Sequence, residues 1–201
     1  MAKPILGIVI FLGSVLLGSS PVVAETMELL VPAYFYPVEN SPWDDLAMAA
    51  ASVPITAILN PNSGPGSSVD PNYVAVVNSL RAAGGRVIGY VATSYGSKSA
   101  TTVKSQIDKY IDFYAIDGIF LDEMSTSSLK LSYYGDLYDY IKAKNGAYEV
   151  VGNPGTNTLE SYLTTPTADV LVTFEDSRTA YSSFAPDVWS DGYDASHFAH
   201  I

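Results

Sequence analysis

Short apolar runs recur along this chain at a nearly even pitch, and that pitch constrains the fold more than any other feature. They start near residues 29, 55, 86, 118, 149 and 170, at intervals of 21 to 32 residues. The runs 29–35, 55–60, 86–93, 118–123, 149–153 and 170–175 are rich in Val, Ile, Tyr and Phe, the composition of strands. Between them lie helical patterns. Ser41 and Pro42 open one over 42–51, a cap followed by an N1 proline. Asp70 and Pro71 do the same for 72–83, which Gly84 and Gly85 end. Over 101–114, Val103, Ile107, Tyr110, Ile111 and Tyr114 fall on one face. A further pattern at 129–144 carries Leu137, Tyr140 and Ile141 and stops at Asn145-Gly146; shorter helices are expected at 156–163 and 181–189. The repeat is the size of a βα unit. The strands are apolar at most positions rather than alternating, as expected when both faces are covered. A parallel α/β fold follows.

A doubly wound sheet and a (β/α)8 barrel both fit this rhythm. No G-x-G-x-x-G follows the first run, which lowers the dinucleotide-binding option. The ends of the strands decide. Tyr34 and Tyr36, Asn60, Ser94 and Tyr95, Asp122 and Glu123, Asn153, and Glu175 follow six successive strands. Polar groups at every strand end are what a barrel's catalytic face requires, whereas a doubly wound sheet gathers them at one switch point. The expected class is therefore a (β/α)8 TIM-barrel type. A complete barrel usually takes about 250 residues. Six units are present and a seventh strand starts within 196–201, so the chain is expected to be a fragment lacking most of the seventh unit and all of the eighth.

The N-terminus has another purpose. Lys3 precedes an apolar stretch over 5–17, broken by Gly18, Ser19, Ser20 and Pro21, with Val22-Val23-Ala24 before Glu25. This is the layout of a secretory signal peptide, and the stretch is short for a bilayer span. Residues 1–24 are expected to be removed, leaving 25–201 as one barrel-type domain, secreted and free of the membrane.

Acids outnumber bases 21 to 10, a net charge of −11, which argues against a nucleic-acid or anionic-membrane partner. With no cysteine, and with His197 and His200 as the only histidines, neither a metal centre nor a Ser-His-Asp triad is expected, and no cofactor is implied. Tyrosine (15 residues), asparagine and carboxylates remain, a set suited to a polyhydroxylated ligand.

The acids carry the chemistry. In the run 117–123, an inward Asp122 brings Phe120 inward and turns Ile119 and Leu121 toward the helices, a sensible phase for a strand. Glu123 then begins the loop. On the sixth strand Thr173 and Glu175 are expected inward and Phe174 outward. Asp122 and Glu175 would flank a ligand at the mouth, the minimum equipment for glycoside hydrolysis. Taken singly, such acids also serve as solvated loop starters or helix caps. Asn60 either binds a sugar hydroxyl or ties its own turn-rich loop, and Asn153 is the better candidate. Tyr34, Tyr36, Tyr90 and Tyr95 suit stacking on sugar rings.

Leu30-Val31-Pro32-Ala33-Tyr34-Phe35-Tyr36-Pro37, Ile58-Leu59-Asn60-Pro61-Asn62-Ser63-Gly64-Pro65-Gly66, Gly89-Tyr90-Val91, Tyr95-Gly96, Asp117-Gly118-Ile119-Phe120-Leu121-Asp122-Glu123, Asn153-Pro154-Gly155 and Thr173-Phe174-Glu175 together resemble the spherulin-4-like proteins. The resemblance runs in order from about Leu30 to Ile201. It implies a (β/α)8 glycoside hydrolase acting on an α-1,4-linked galactosamine or N-acetylgalactosamine polymer. By the same resemblance Asp122 and Glu123 match a strand-four acidic pair and Glu175 a strand-six acid. Asp122 is then expected as nucleophile, Glu175 as acid/base and Glu123 as an assisting group, with a retaining outcome. The other class is a non-catalytic extracellular protein that binds polysaccharide or contributes to a coat.

Overall fold

Seven strands run parallel and lie side by side in chain order, curled into a nearly closed barrel. They are β1 (Leu29–Ala33), β2 (Ile55–Leu59), β3 (Arg86–Ala92), β4 (Gly118–Asp122), β5 (Glu149–Gly152), β6 (Val170–Phe174) and β7 (Phe198–His200). The helices between them are α1 (Pro42–Ala50), α2 (Pro71–Ala82), α3 (Ala100–Phe113), α4 (Leu131–Lys144), α5 (Ser161–Thr164) and α6 (Arg178–Tyr181). This computed structural model describes residues 27–201, so the expected signal segment 1–24 lies outside the described residues. β1 and β7 are the two edges of the sheet. At the N-terminal end a cavity of about 600 Å³ is lined by Leu30, Thr56, Val151, Val170 and Ala199, among others.

The alternation of side chains builds two cores. Ile58, Ile88, Phe120, Val151 and Val172 fill the barrel interior, with Leu30, Tyr90, Val170, Ala199 and Ile201 against them. Ile119, Leu121, Val150 and Leu171 belong instead to the larger core shared with Val77 and Leu80 of α2, Val103 and Ile107 of α3, and Leu137 and Ile141 of α4. β4 thus has the expected phase, with Phe120 inside and Ile119 and Leu121 under the helices.

Helix starts follow the sequence signals in part. Asp70 caps α2 by accepting from Asn72 N, and Ser99 caps α3 by accepting from Thr102 N. Ser41 occupies the cap position of α1 without a side-chain bond, leaving Pro42 to set the first turn. The expected helix at 156–163 shrinks to α5. The one expected at 181–189 divides into α6 and a 3-10 turn at Val188–Gly192. At the opposite end from the strand-end acids, carboxylates lock neighbouring strands. Asp117 accepts from Val87 N (2.9 Å) and pairs with Arg81 (2.8 Å). Asp169 accepts from Val150 N (2.8 Å) and from Lys142 Nζ (2.6 Å).

Candidate active site

Asp122 is the last residue of β4, and its carboxylate points into the mouth of the barrel. Oδ2 accepts from Tyr90 Oη at 2.6 Å and Oδ1 accepts from Asn153 Nδ2 at 2.9 Å. Asn153 follows β5 and extends the ladder: its N–H donates to Leu121 O (2.9 Å) and its carbonyl accepts from Met124 N (2.8 Å). The same Nδ2 donates to Glu175 Oε2 at 2.7 Å. Two bonds of 2.9 and 2.7 Å that share one nitrogen place the two carboxylate oxygens no more than about 5.6 Å apart. The amide's orientation follows from this network, because the reversed amide would set its oxygen against the Asp122 carboxylate.

Glu175 reaches this point through an irregularity. Val172 lies inside the barrel, and strict alternation would then turn Glu175, three residues on, away from it. The pairing of β6 with β7 slips between Val172 and Phe174, one extra residue in β6. Such a bulge re-aims the side chains beyond it. Phe174 turns out against Tyr181, Phe184 and His200, and Glu175 turns in. The expected phase of Glu175 and Phe174 is found, but with Val172 inside, the inward placement expected of Thr173 does not extend back along the strand.

Gly155 supports the acid from below. Its carbonyl accepts from Glu175 N at 3.1 Å, its φ is +66°, and a β-carbon there would lie 3.4 Å from Glu175 Oε2. Gly155→Ala is therefore expected to strain the turn and press on the acid. For the hydrolase proposed below, turnover should fall about tenfold with little change in KM, because small displacements of a reacting group are costly. Steady-state kinetics of the variant check this, and unchanged kcat would dissociate the loop from the site.

The tyrosines divide. Tyr90 stacks on Phe120, and burial, the hydrogen bond to Asp122 and that residue's charge push its phenol up, so it stays a donor. Tyr34 sets its ring edge-to-face with Tyr90 at 5.6 Å and remains 48% exposed. Burial and then the charges of Asp122 and Glu175 raise its pKa. Tyr95 stands at the rim, 64% exposed. Tyr36 and Asn60 are not brought to the pair. The chain bends at Phe35 after β1 ends, and Tyr36 Oη donates to Asp70 (3.1 Å) and accepts from Asn72 (2.8 Å). Asn60 Oδ1 accepts from Gly64 N (2.8 Å) and ties its own loop, as Asn readily does at a turn.

Glu123 faces the loop after β3. At φ +51° its carbonyl accepts from Tyr95 N (2.8 Å) and its carboxylate from Ser94 N (3.1 Å). Two residues absent from the sequence-derived set lie beneath. Thr93, fully buried, shares its hydroxyl proton between the carbonyls of Asp122 (2.9 Å) and Glu123 (2.8 Å) and accepts from Tyr134 Oη (2.9 Å). Tyr134 Oη in turn accepts from Ser125 N at 2.9 Å. The hydroxyls of Thr93 and Tyr134 are both fully bonded and so tie the end of β4 to α4. A threonine just past a strand and a tyrosine on a helix face look like ordinary core residues, and no local pattern marks them.

Comparison with known proteins places this geometry. The model of spherulation-specific family 4 matches residues 28–201. Spherulin-4 of Physarum polycephalum is 45% identical over 157 residues, covering 77% of this chain and 46% of that protein. The chain thus spans about half the length of the curated relative it matches. Among solved structures, the C-terminal domain of a Desulfitobacterium hafniense DCB-2 protein assigned as a chitinase superposes with a TM-score of 0.52 at 12% identity, over 74% of this chain and 54% of that one. The cyclic α-maltosyl-(1→6)-maltose hydrolase of Arthrobacter globiformis gives 0.50 at 13% identity, over 72% and 48%. These likenesses are of fold: a glycosidase-like barrel.

Proposed function

The chain belongs to spherulation-specific family 4, and on that premise we propose that it is a secreted glycoside hydrolase. Its substrate in this reading is an α-1,4-linked galactosamine or N-acetylgalactosamine polymer, cleaved with retention of configuration. The observation that carries the chemistry is the Asp122–Asn153–Glu175 bridge. Retaining enzymes hold their two carboxyl groups about 5–5.5 Å apart, whereas inverting enzymes need about 6.5–9.5 Å to admit a water. A limit of about 5.6 Å between the bridged oxygens supports the first spacing over the second.

Asp122 accepts from two donors, Tyr90 and Asn153, and is the more firmly held of the two carboxylates. It attacks the anomeric carbon while Glu175 gives its proton to the departing glycosidic oxygen. The resulting glycosyl ester on Asp122 is hydrolysed by a water whose proton returns to Glu175. Tyr34 offers a half-exposed ring against Tyr90, the donor to Asp122, for the sugar face. Glu123 assists by holding the loop of Ser94 and Tyr95 at the rim. The sugar and linkage rest on family membership; the charge of −11 suits a partly deacetylated, cationic polymer.

Incubating the full-length protein with such a polymer should release reducing ends, and proton NMR of the first product should show the substrate's α configuration. Binding without release of ends would support the non-catalytic polysaccharide-binding reading instead. A β product would exclude the retaining mechanism.

A further inference from the structure

Asp122 and Glu175 make no hydrogen bond to each other; one amide joins them. We propose that Asn153 is a positioning residue of the hydrolytic site. Its side-chain NH2 is the spacer that holds nucleophile and acid/base at the retaining distance. The proposal rests on the hydrolase reading above and assigns Asn153 a task other than binding sugar.

Three observations carry it. Each of the two N–H groups on Nδ2 serves one acid, at 2.9 Å to Asp122 and 2.7 Å to Glu175. The two N–H groups of a planar amide diverge at a fixed angle, so an amide that gives one to each acid sets the separation of the acceptors by covalent geometry. The spacer itself cannot drift. Asn153 is 4% exposed, and its backbone is bonded on one side to Leu121 O and on the other to Met124 N. Finally, the arrangement carries a cost. Asn153 Oδ1 is buried and has no hydrogen-bond partner among the described residues. A buried acceptor left without a donor destabilises the fold, and turning the amide over would set that oxygen against the Asp122 carboxylate. The fold tolerates the orphan oxygen to keep both N–H groups on the acids.

Without the spacer nothing ties the two acids together, and Glu175, on the exposed side of the pair, is free to swing into solvent. Asn153→Ala should therefore lower kcat about 10²-fold while KM stays within about threefold of the parent, since the sugar-facing ring of Tyr34 is untouched. A second readout needs no substrate. In ¹⁵N-labelled protein the two side-chain amide protons of Asn153 give separate resonances. Asp122→Ala should move one of them and Glu175→Ala the other. The inference is overturned if one substitution moves both protons and the other neither, or if Asn153→Ala keeps kcat within about threefold of the parent. A protein that cleaves no amino-sugar polymer would refute the hydrolase reading and leave the amide spectrum to decide the spacer. If Asn153→Ala does not fold, the spectra of the Asp122 and Glu175 variants decide it as well.

Discussion

Alanine at Asp122 or at Glu175 is expected to cut turnover by at least about 10²-fold, roughly 2.7 kcal/mol of transition-state stabilisation, while the fold survives. Survival follows from position. Asp122 is half-buried and Glu175 exposed at the mouth, so truncating either leaves no sealed cavity. The two losses should differ in kind. With Glu175→Ala, an α-aryl glycoside whose leaving group needs no protonation still forms the ester on Asp122. Azide, which needs no general base, should then release a glycosyl azide of retained configuration. With Asp122→Ala no ester can form, and azide entering in the place of the carboxylate should give the inverted product. Product configuration, read by NMR, thus assigns the roles: the opposite pair of outcomes would exchange nucleophile and acid/base, and near-normal turnover in both variants would remove the acids from the mechanism.

Much of this site is legible in the sequence because the strands are covered on both faces. An apolar run that ends in an acid leaves little choice of phase, and Phe120 and Asp122 fall on one side of β4 as alternation requires. The rest depends on departures from regularity that leave no local mark. The slip in β6 sets Val172 and Glu175 on the same side although they are three residues apart, and nothing in Val172-Thr173-Phe174 announces it. The bend at Phe35 sends Tyr36 to Asp70 and Asn72 while Tyr34 stays against Tyr90. Asn60 and Asn153 look alike in sequence, each followed by proline. One closes its loop on Gly64 and the other reaches across the barrel to two carboxylates. The difference lies in strand register, a long-range property. Thr93 and Tyr134 meet only because α4 returns over the end of β3.

That register can be tested at its far end, through Gly118. Gly118 opens β4, paired with Ile88 on one side and Glu149 on the other. A β-carbon built on it would lie 2.2 Å from the carbonyl oxygen of Glu149 and 2.9 Å from that residue's backbone nitrogen and carbonyl carbon. These are main-chain atoms of β5, with no flexible side chain to yield, so Gly118→Ala must push two paired strands apart. Overpacking of this kind costs about 1–3 kcal/mol and, against backbone, the upper end or more. A loss of about 3 kcal/mol should lower the melting temperature by roughly 10 °C in a domain of this size. Gly135, inside α4 with nothing within 4 Å of its would-be β-carbon, is the control. Gly135→Ala should raise stability by about 0.5–1 kcal/mol, because alanine loses less backbone freedom in a helix. The contrast bears on the acids because the ladder that sets Gly118 against Glu149 continues through Ile119–Val150 to Leu121–Gly152. One step further it sets Asp122 beside Asn153. If Gly118→Ala melts with the parent while Gly135→Ala gains as expected, β4 and β5 are not in this register. The amide of Asn153 then has no claim to lie between Asp122 and Glu175.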